Sequence, residues 1–190
     1  MTKLIAAGLL CLSPAWAEGI RGTVKVAGAR DSADVAVYLD KIPGKTFAPP
    51  KETVILDQVN LTFVPRVLPV LAGTTVGFPN SDEVRHNVFS PSPPKRFNLG
   101  TYPRGVSRAV TFDKPGEVAL LCNVHAEMSA YVIVVETPYF AVSRKDGSFE
   151  IKDVPPGKYT LKTWHEKKKP VTAEVTVPKG AAAELQLTLK

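Results

Sequence analysis

Along most of this chain apolar and polar residues alternate with a period of two, in short runs bounded by Pro, Gly, Asn and Asp, and no stretch of useful length carries a helical period. The pattern predicts an all-β protein. Residues 52–56 and 61–64 read as strands, Pro65 breaks the second, and residues 67–70 resume before a turn at Ala72-Gly73. Residues 74–78 form the next expected strand, and Pro79-Asn80-Ser81-Asp82 is a turn that delivers Arg85-His86-Asn87-Val88-Phe89. Residues 90–104 are rich in Pro with little alternation, which predicts one long loop. Strands are expected again at 106–112, at 116–121 after a Lys114-Pro115-Gly116 turn, and at 131–135.

The last third repeats the pattern on its own. Residues 140–143 lead to Asp146-Gly147, an expected hairpin turn, and Phe149 and Ile151 then alternate with polar residues. Pro155-Pro156-Gly157 predicts another turn before Tyr159-Thr160-Leu161 and Trp164. Val171, Ala173, Val175 and Val177 alternate next, followed by Leu185, Leu187 and Leu189. Short strands at this spacing predict a small sandwich.

With 44% hydrophobic and 22% charged residues, 17 Pro and 13 Gly in 190 residues, the chain has apolar material for one or two small cores. The first 17 residues read as a targeting segment: Lys3, an apolar run over 4–12, and Ala15-Trp16-Ala17 as a small-x-small cleavage site. The run is too short to span a bilayer. A mature chain from Glu18 is expected to be exported, most simply to a bacterial periplasm. Cys11 follows Leu10, where lipid attachment wants a small side chain, so a lipid anchor is the weaker reading.

Cleavage there leaves Cys122 as the single cysteine, unable to form an internal disulfide in an oxidising compartment. Such a cysteine is buried and inert, reactive, or a metal ligand. Its neighbours favour the last: Cys122-Asn123-Val124-His125-Ala126-Glu127-Met128 puts a thiolate, an imidazole and a thioether three residues apart each time, between two strands. Thiolate and thioether sulfur with imidazole is the donor set copper selects, and His86, in a second loop, supplies the further strong ligand. The expected site is His86, Cys122 and His125 around one copper ion, with Met128 as a long axial donor. Glu127 could offer a hard oxygen in its place, but neighbouring side chains on a strand-bound loop diverge.

These residues carry a resemblance. Residues 61–65, Ala72-Gly73-Thr74-Thr75-Val76-Gly77-Phe78-Pro79-Asn80, His86-Asn87-Val88-Phe89 and residues 122–128 occur in the order that the cupredoxin family uses, and the short Cys-x-x-His-x-x-Met loop is most similar to that of amicyanin. The resemblance implies a Greek-key β-sandwich with a type 1, or blue, copper that shuttles between Cu(I) and Cu(II). It implies that the histidines bind through the inner ring nitrogen, leaving the other nitrogen of His125 at the surface as an electron port. It also implies that Asn87 ties the two ligand loops together by hydrogen bonds; the alternative is an ordinary turn residue.

Asp146-Gly147-Ser148-Phe149 and Val154-Pro155-Pro156-Gly157-Lys158-Tyr159-Thr160-Leu161 resemble a carboxypeptidase regulatory-like, or transthyretin-like, β-sandwich, and residues 20–26 and 35–39 resemble its opening strands. The expected division is a signal peptide at 1–17, N-terminal strands of the accessory sandwich at 18–50, a cupredoxin at 51–136, and the remaining accessory strands at 137–190. The alternative is that residues 20–40 extend the cupredoxin sheet.

The formal charge of +6, to which Arg104, Arg108 and Lys167-Lys168-Lys169 contribute, is compatible with solvated lysines or with steering toward an acidic redox partner. No base-stacking pattern or groove-reading motif points to nucleic acid. His165 has no cysteine or second histidine beside it and reads as a surface residue rather than a second metal site. Three histidines and one mature cysteine build no catalytic triad and no second copper cluster, so an enzyme is not expected. The expected function is one-electron transport, with a c-type cytochrome or a periplasmic dehydrogenase as partner. The alternative is copper storage or delivery, with the accessory sandwich as a docking module.

Overall fold

Seventeen strands and no helix make up the described residues, 18–190, of the computed structural model. The targeting segment expected at 1–17 lies outside them. The strands are β1 (Gly19–Val26), β2 (Ala36–Leu39), β3 (Val54–Ile55), β4 (Asp57–Val59), β5 (Thr62–Val64), β6 (Val67–Leu71), β7 (Thr74–Pro79), β8 (His86–Ser90) and β9 (Phe97–Tyr102). They continue with β10 (Ser107–Phe112), β11 (Gly116–Leu121), β12 (Ser129–Val135), β13 (Phe140–Val142), β14 (Ser148–Lys152), β15 (Gly157–Trp164), β16 (Thr172–Val177) and β17 (Ala182–Leu189).

In the middle of the chain a five-stranded sheet, ordered β6-β12-β11-β8-β9, packs on a three-stranded sheet, β10-β7-β3. Their inward residues close one core, in which Val76, Phe78, Val88, Phe112, Val118, Leu120 and Val132 are fully buried. Phe78, Phe97 and Phe112 form a triangle of rings with centroids 6.1–6.4 Å apart, a spacing at which aromatic pairs attract beyond their area burial. Pro69 lies inside β6, which is tolerated because β6 is an edge strand.

One expected loop is in part a strand. Residues 90–104 were to run without structure; Pro91, Pro93 and Pro94 do keep 91–96 out of the ladder, but residues 97–102 form β9 at the sheet edge. Its alternation is blurred by Gly100 at φ 67° and by a register shift opposite Asn87 and Phe89. Residue 61, expected in a strand, is instead in the β4–β5 turn with φ 58°.

The other strands close around a second core of Ile20, Val24, Val37, Leu39, Phe149, Ile151, Leu161 and Leu189. Here β1 lies between β14, antiparallel, and β17, parallel through eight residue pairs, while β2 lies between β13 and β15, with β16 beyond. The turn at Asp146-Gly147 forms, with Gly147 at φ 82° and its N–H donating to the Arg144 carbonyl at 2.8 Å. It does not close a hairpin ladder: β13 and β14, the strands it joins, belong to opposite sheets, because each finds its partner in the N-terminal residues.

The two sandwiches share a seam. Ala36 and Trp164 from one side meet Val67, Ile133 and Val135 from the other, and Tyr131 packs on Trp164 with ring centroids 4.8 Å apart and planes tilted by 52°. Trp164 Nε1 donates to Glu117 Oε2 at 2.8 Å, and where the chain leaves β12 for the second sandwich the buried Thr137 hydroxyl donates to the Leu39 carbonyl at 2.8 Å. Arg66 binds Glu166 through Nη2 and Asp34 through Nη1 at 3.4 Å, with its guanidinium 5.8 Å from the Tyr131 ring centre. Burial would raise the Glu166 carboxyl, but the hydrogen bond and charge of Arg66 outweigh it and hold Glu166 below the usual range. A carboxylate so depressed stabilises the fold above its ordinary value and loses that contribution as the pH falls through its folded value. Arg66→Ala is expected to cost about 1 kcal/mol near neutrality in urea unfolding, the ion pair being partly solvated. The deficit should shrink as the pH falls below about 4, the ordinary range for glutamate.

Candidate metal centre

Strand β11 has β12 on one side and β8 on the other, and Leu121 pairs with both Ser129 and Phe89. The loop that follows Leu121 and the start of β8 therefore open at the same end of the sandwich. The loop is tied shut by the Cys122 N–H, which donates to the Met128 carbonyl at 3.3 Å, and by the Met128 N–H, which donates to the His125 carbonyl at 3.1 Å. Cys122 and Met128 turn inward, 5% and 1% exposed, while Asn123, Val124, Ala126 and Glu127 face solvent.

His86 is fully buried and His125 partly exposed; their rings meet at 62° with centroids 4.8 Å apart and Nδ1 atoms 3.1 Å apart. The ligand atoms of His86, Cys122 and His125 all lie within 4.8 Å of one another, which makes them the group of His, Cys, Asp and Glu side chains that can hold a metal ion among the described residues. Met128 belongs to the same buried cluster as Cys122. Glu127 and Met128 diverge, and it is the thioether that is enclosed.

The residue that sequence reasoning passed over is Asp82, treated above only as part of a turn. Its Oδ2 lies 2.7 Å from His86 Nε2 and accepts the Leu61 N–H at 2.9 Å, while Oδ1 accepts the Asn60 N–H at 2.5 Å. Burial pushes this carboxyl up, but the Leu61 N–H, the His86 ring and the Asn60 N–H more than compensate, and it sits below the ordinary aspartate value. An ionised Asp82 accepts a hydrogen bond from Nε2–H of His86, so Nδ1 of His86 presents its lone pair to the site. Asn60 and Leu61, at φ 52° and 58°, form the two-residue β4–β5 turn, and left-handed backbone at a leucine is held here by the carboxylate that both N–H groups grip. An acid four residues before a candidate ligand histidine was the available signal.

Behind the site stands a buried polar frame. Asn80 donates through Nδ2 to the carbonyls of Val84 and Tyr102 and accepts the Asp82 N–H at 3.0 Å, which shapes the loop carrying Asp82 and His86. The Tyr102 hydroxyl donates to the Phe78 carbonyl and accepts from Gln58 Nε2, both at 2.8 Å, and burial pushes its pKa up to about 12. Asn87 is buried, its amide donates to Asn98 Oδ1 on β9 at 2.9 Å, and its Oδ1 has no partner among the described residues. The donor of this side chain is taken by Asn98, across the β8–β9 bulge. His165 is not among the residues brought together here, its Nδ1 accepting the Lys167 N–H at 3.2 Å.

The site opens on an apolar rim. Val124 is 48% exposed, Leu61 50% and Val84 44%, and Leu61 and Val84 line a shallow recess of about 420 Å³ with Asn60, Asp82 and Glu83.

The model for the carboxypeptidase regulatory-like domain matches residues 126–190. Among solved structures, the chain is similar to a Cu-containing nitrite reductase from Thermus scotoductus SA-01, at 28% identity and a TM-score of 0.44, over 52% of this chain and 25% of that one. It is similar to a reduced amicyanin mutant at 22% identity and a TM-score of 0.42, over 50% and 96%, and to a purple cupredoxin from Nitrosopumilus maritimus at 24% and 0.39, over 43% and 98%. The chain thus spans a quarter of the nitrite reductase. No curated protein matches.

Asp82→Asn keeps the size of the side chain and removes its charge. It is expected to weaken metal binding by about 10–100-fold in a competition with a coloured chelator, with the far-ultraviolet circular dichroism unchanged.

Proposed function

We infer that this chain is a blue copper protein that carries single electrons between redox partners in the periplasm, with His86, Cys122 and His125 as the strong ligands and Met128 as the weak axial one. The observation that carries the reading is the convergence of two imidazoles and a buried cysteine within 4.8 Å of one another, beside a buried thioether. Imidazole and thiolate alone would also suit zinc, but a thioether adds little to a zinc site and is characteristic of copper that must be held in both oxidation states. Bound copper supplies a reversible one-electron couple. The protein supplies the rest: a thiolate at Cys122, a His86 lone pair fixed by the Asp82 hydrogen bond, a loop tied by two backbone hydrogen bonds, and a buried shell around Cys122 and Met128.

A carrier suits the surroundings better than an enzyme does. Four candidate donors converge from a tight loop and a strand start, which favours fast electron exchange over binding of a substrate to the metal. Partly exposed His125 and the apolar rim of Leu61, Val84 and Val124 offer a small contact face through which a redox partner can dock and leave. We take residues 51–136 as the cupredoxin unit and residues 18–50 with 137–190 as the accessory sandwich, a division supported by the pairing of β1 with β14 and β17. Export by a cleaved segment at 1–17 completes the reading.

Mature protein loaded with Cu(II) is expected to show an intense thiolate charge-transfer band in the visible and narrow copper hyperfine splitting in its EPR spectrum, and Cys122→Ser to lose both. A colourless loaded protein would sink the reading. Met128→Leu is expected to keep the band and raise the reduction potential measured by voltammetry, because the oxidised ion loses a donor.

A further inference from the structure

The seam fixes the direction in which the accessory sandwich points. Its contacts climb along the cupredoxin unit in order. Leu39 is held by Thr137, the first accessory residue after the end of β12; Trp164 meets Glu117, the partner of Ile133; Trp164 packs on Tyr131; and Glu166 meets Arg66, whose carbonyl accepts the Tyr131 N–H. Tyr131 is the third residue after Met128, about 10 Å along the strand at the usual rise per residue. Strand β15 therefore runs toward the metal end, and the turn beyond it, closed by the Lys168 N–H donating to the His165 carbonyl at 3.3 Å, continues the same way.

That turn carries Lys167, Lys168 and Lys169. Lys167 pairs with Glu166 at 3.5 Å, while Lys168 and Lys169 have no ion pair among the described residues. Flexible lysines on a loop tip are commonly only solvated, but these stand on a turn anchored by a guanidinium pinned between Glu166, Asp34 and an aromatic ring. Orienting two unpaired cations toward the end of the sandwich that carries the apolar rim gives that end a polar, positive flank and an apolar centre.

Resting on the copper reading above, we propose that the metal end and the Lys167–Lys169 turn form one bipartite docking surface, and that it fits an electron-transfer protein with an acidic face. A partner of ordinary footprint, about 800 Å² or some 30 Å across, covers both parts at once. The apolar rim brings the partner's redox group close to His125. The lysines select and orient it and raise the encounter rate, an effect that salt weakens with a screening length of about 8 Å.

The test is stopped-flow reduction of the full copper-loaded protein by a ferrous cytochrome of strongly negative net charge. One electron leaves the haem iron, which becomes ferric, and converts Cu(II) to Cu(I). The double variant Lys168→Glu with Lys169→Glu is expected to lower the second-order rate about tenfold at low salt, to flatten its salt dependence, and to leave the visible band and potential unchanged. The charge-matched control is Lys158→Glu with Lys179→Glu, beside the paired Gly157 and Val177 at the opposite end of β15. It is expected to change the rate less than threefold. Equal losses in the two variants, or no loss in either, would overturn the bipartite surface while leaving the copper site intact. A wild-type chain that takes up no Cu(II), seen before any cytochrome is added, would instead overturn the reading beneath it.

Discussion

Strand β11 has a neighbour on each side, and its last residue completes both ladders, against Ser129 of β12 and Phe89 of β8. A central strand cannot slip by one residue without sending its apolar side chains to the wrong face. Val118 and Leu120 are fully buried, so the register is fixed by the core. Once it is fixed, the loop beginning at Cys122 and the histidine that opens β8 have to emerge at the same end of the sandwich. The candidate metal site is thus a consequence of sheet packing; two backbone hydrogen bonds then tie the loop, and one carboxylate orients the histidine of β8.

Much of this was legible in the sequence because the signals are local. The Cys-x-x-His-x-x-Met spacing lies on one loop between two strands of clear alternation, and burial of Cys122, Met128 and His86 follows from the same pattern. What escaped depends on contacts between distant segments. Asp82 reads as a turn residue until Asn60 and Leu61, 22 and 21 positions earlier, are seen to grip it. The donor of Asn87 goes to Asn98 because β9 exists, and β9 was hidden behind Pro91, Pro93 and Pro94 and a bulge. Likewise the Asp146-Gly147 turn has the composition of a hairpin, yet its flanking strands are claimed by β1 and β2. Short apolar runs announce strands; they do not say which strands pair.

The seam between the sandwiches joins an apolar stack to a charged one. Trp164 lies on Tyr131 and over Ile133 and Val135, while Arg66 ties Glu166 and Asp34 at the solvent edge. Apolar burial alone would tolerate sliding, since it is non-directional. The indole N–H on Glu117 and the guanidinium between two carboxylates are directional, and they convert adjacency into a fixed orientation.

The parallel ladder between β1 and β17 sets an order of events during synthesis. Gly19 waits for Ala182, and Val26 for Leu189, so the first strand of the described chain has no partner on that side until β17 has been made. The strands that build the candidate metal site are complete by Val135, with all of β13 to β17 still to come. Contacts of such long sequence separation form late, because the chain entropy of closing the loop must be met first. The sandwich with the candidate metal site is therefore able to close while the accessory sandwich has only β1 and β2 of its seven strands, and the seam is the last surface to be assembled.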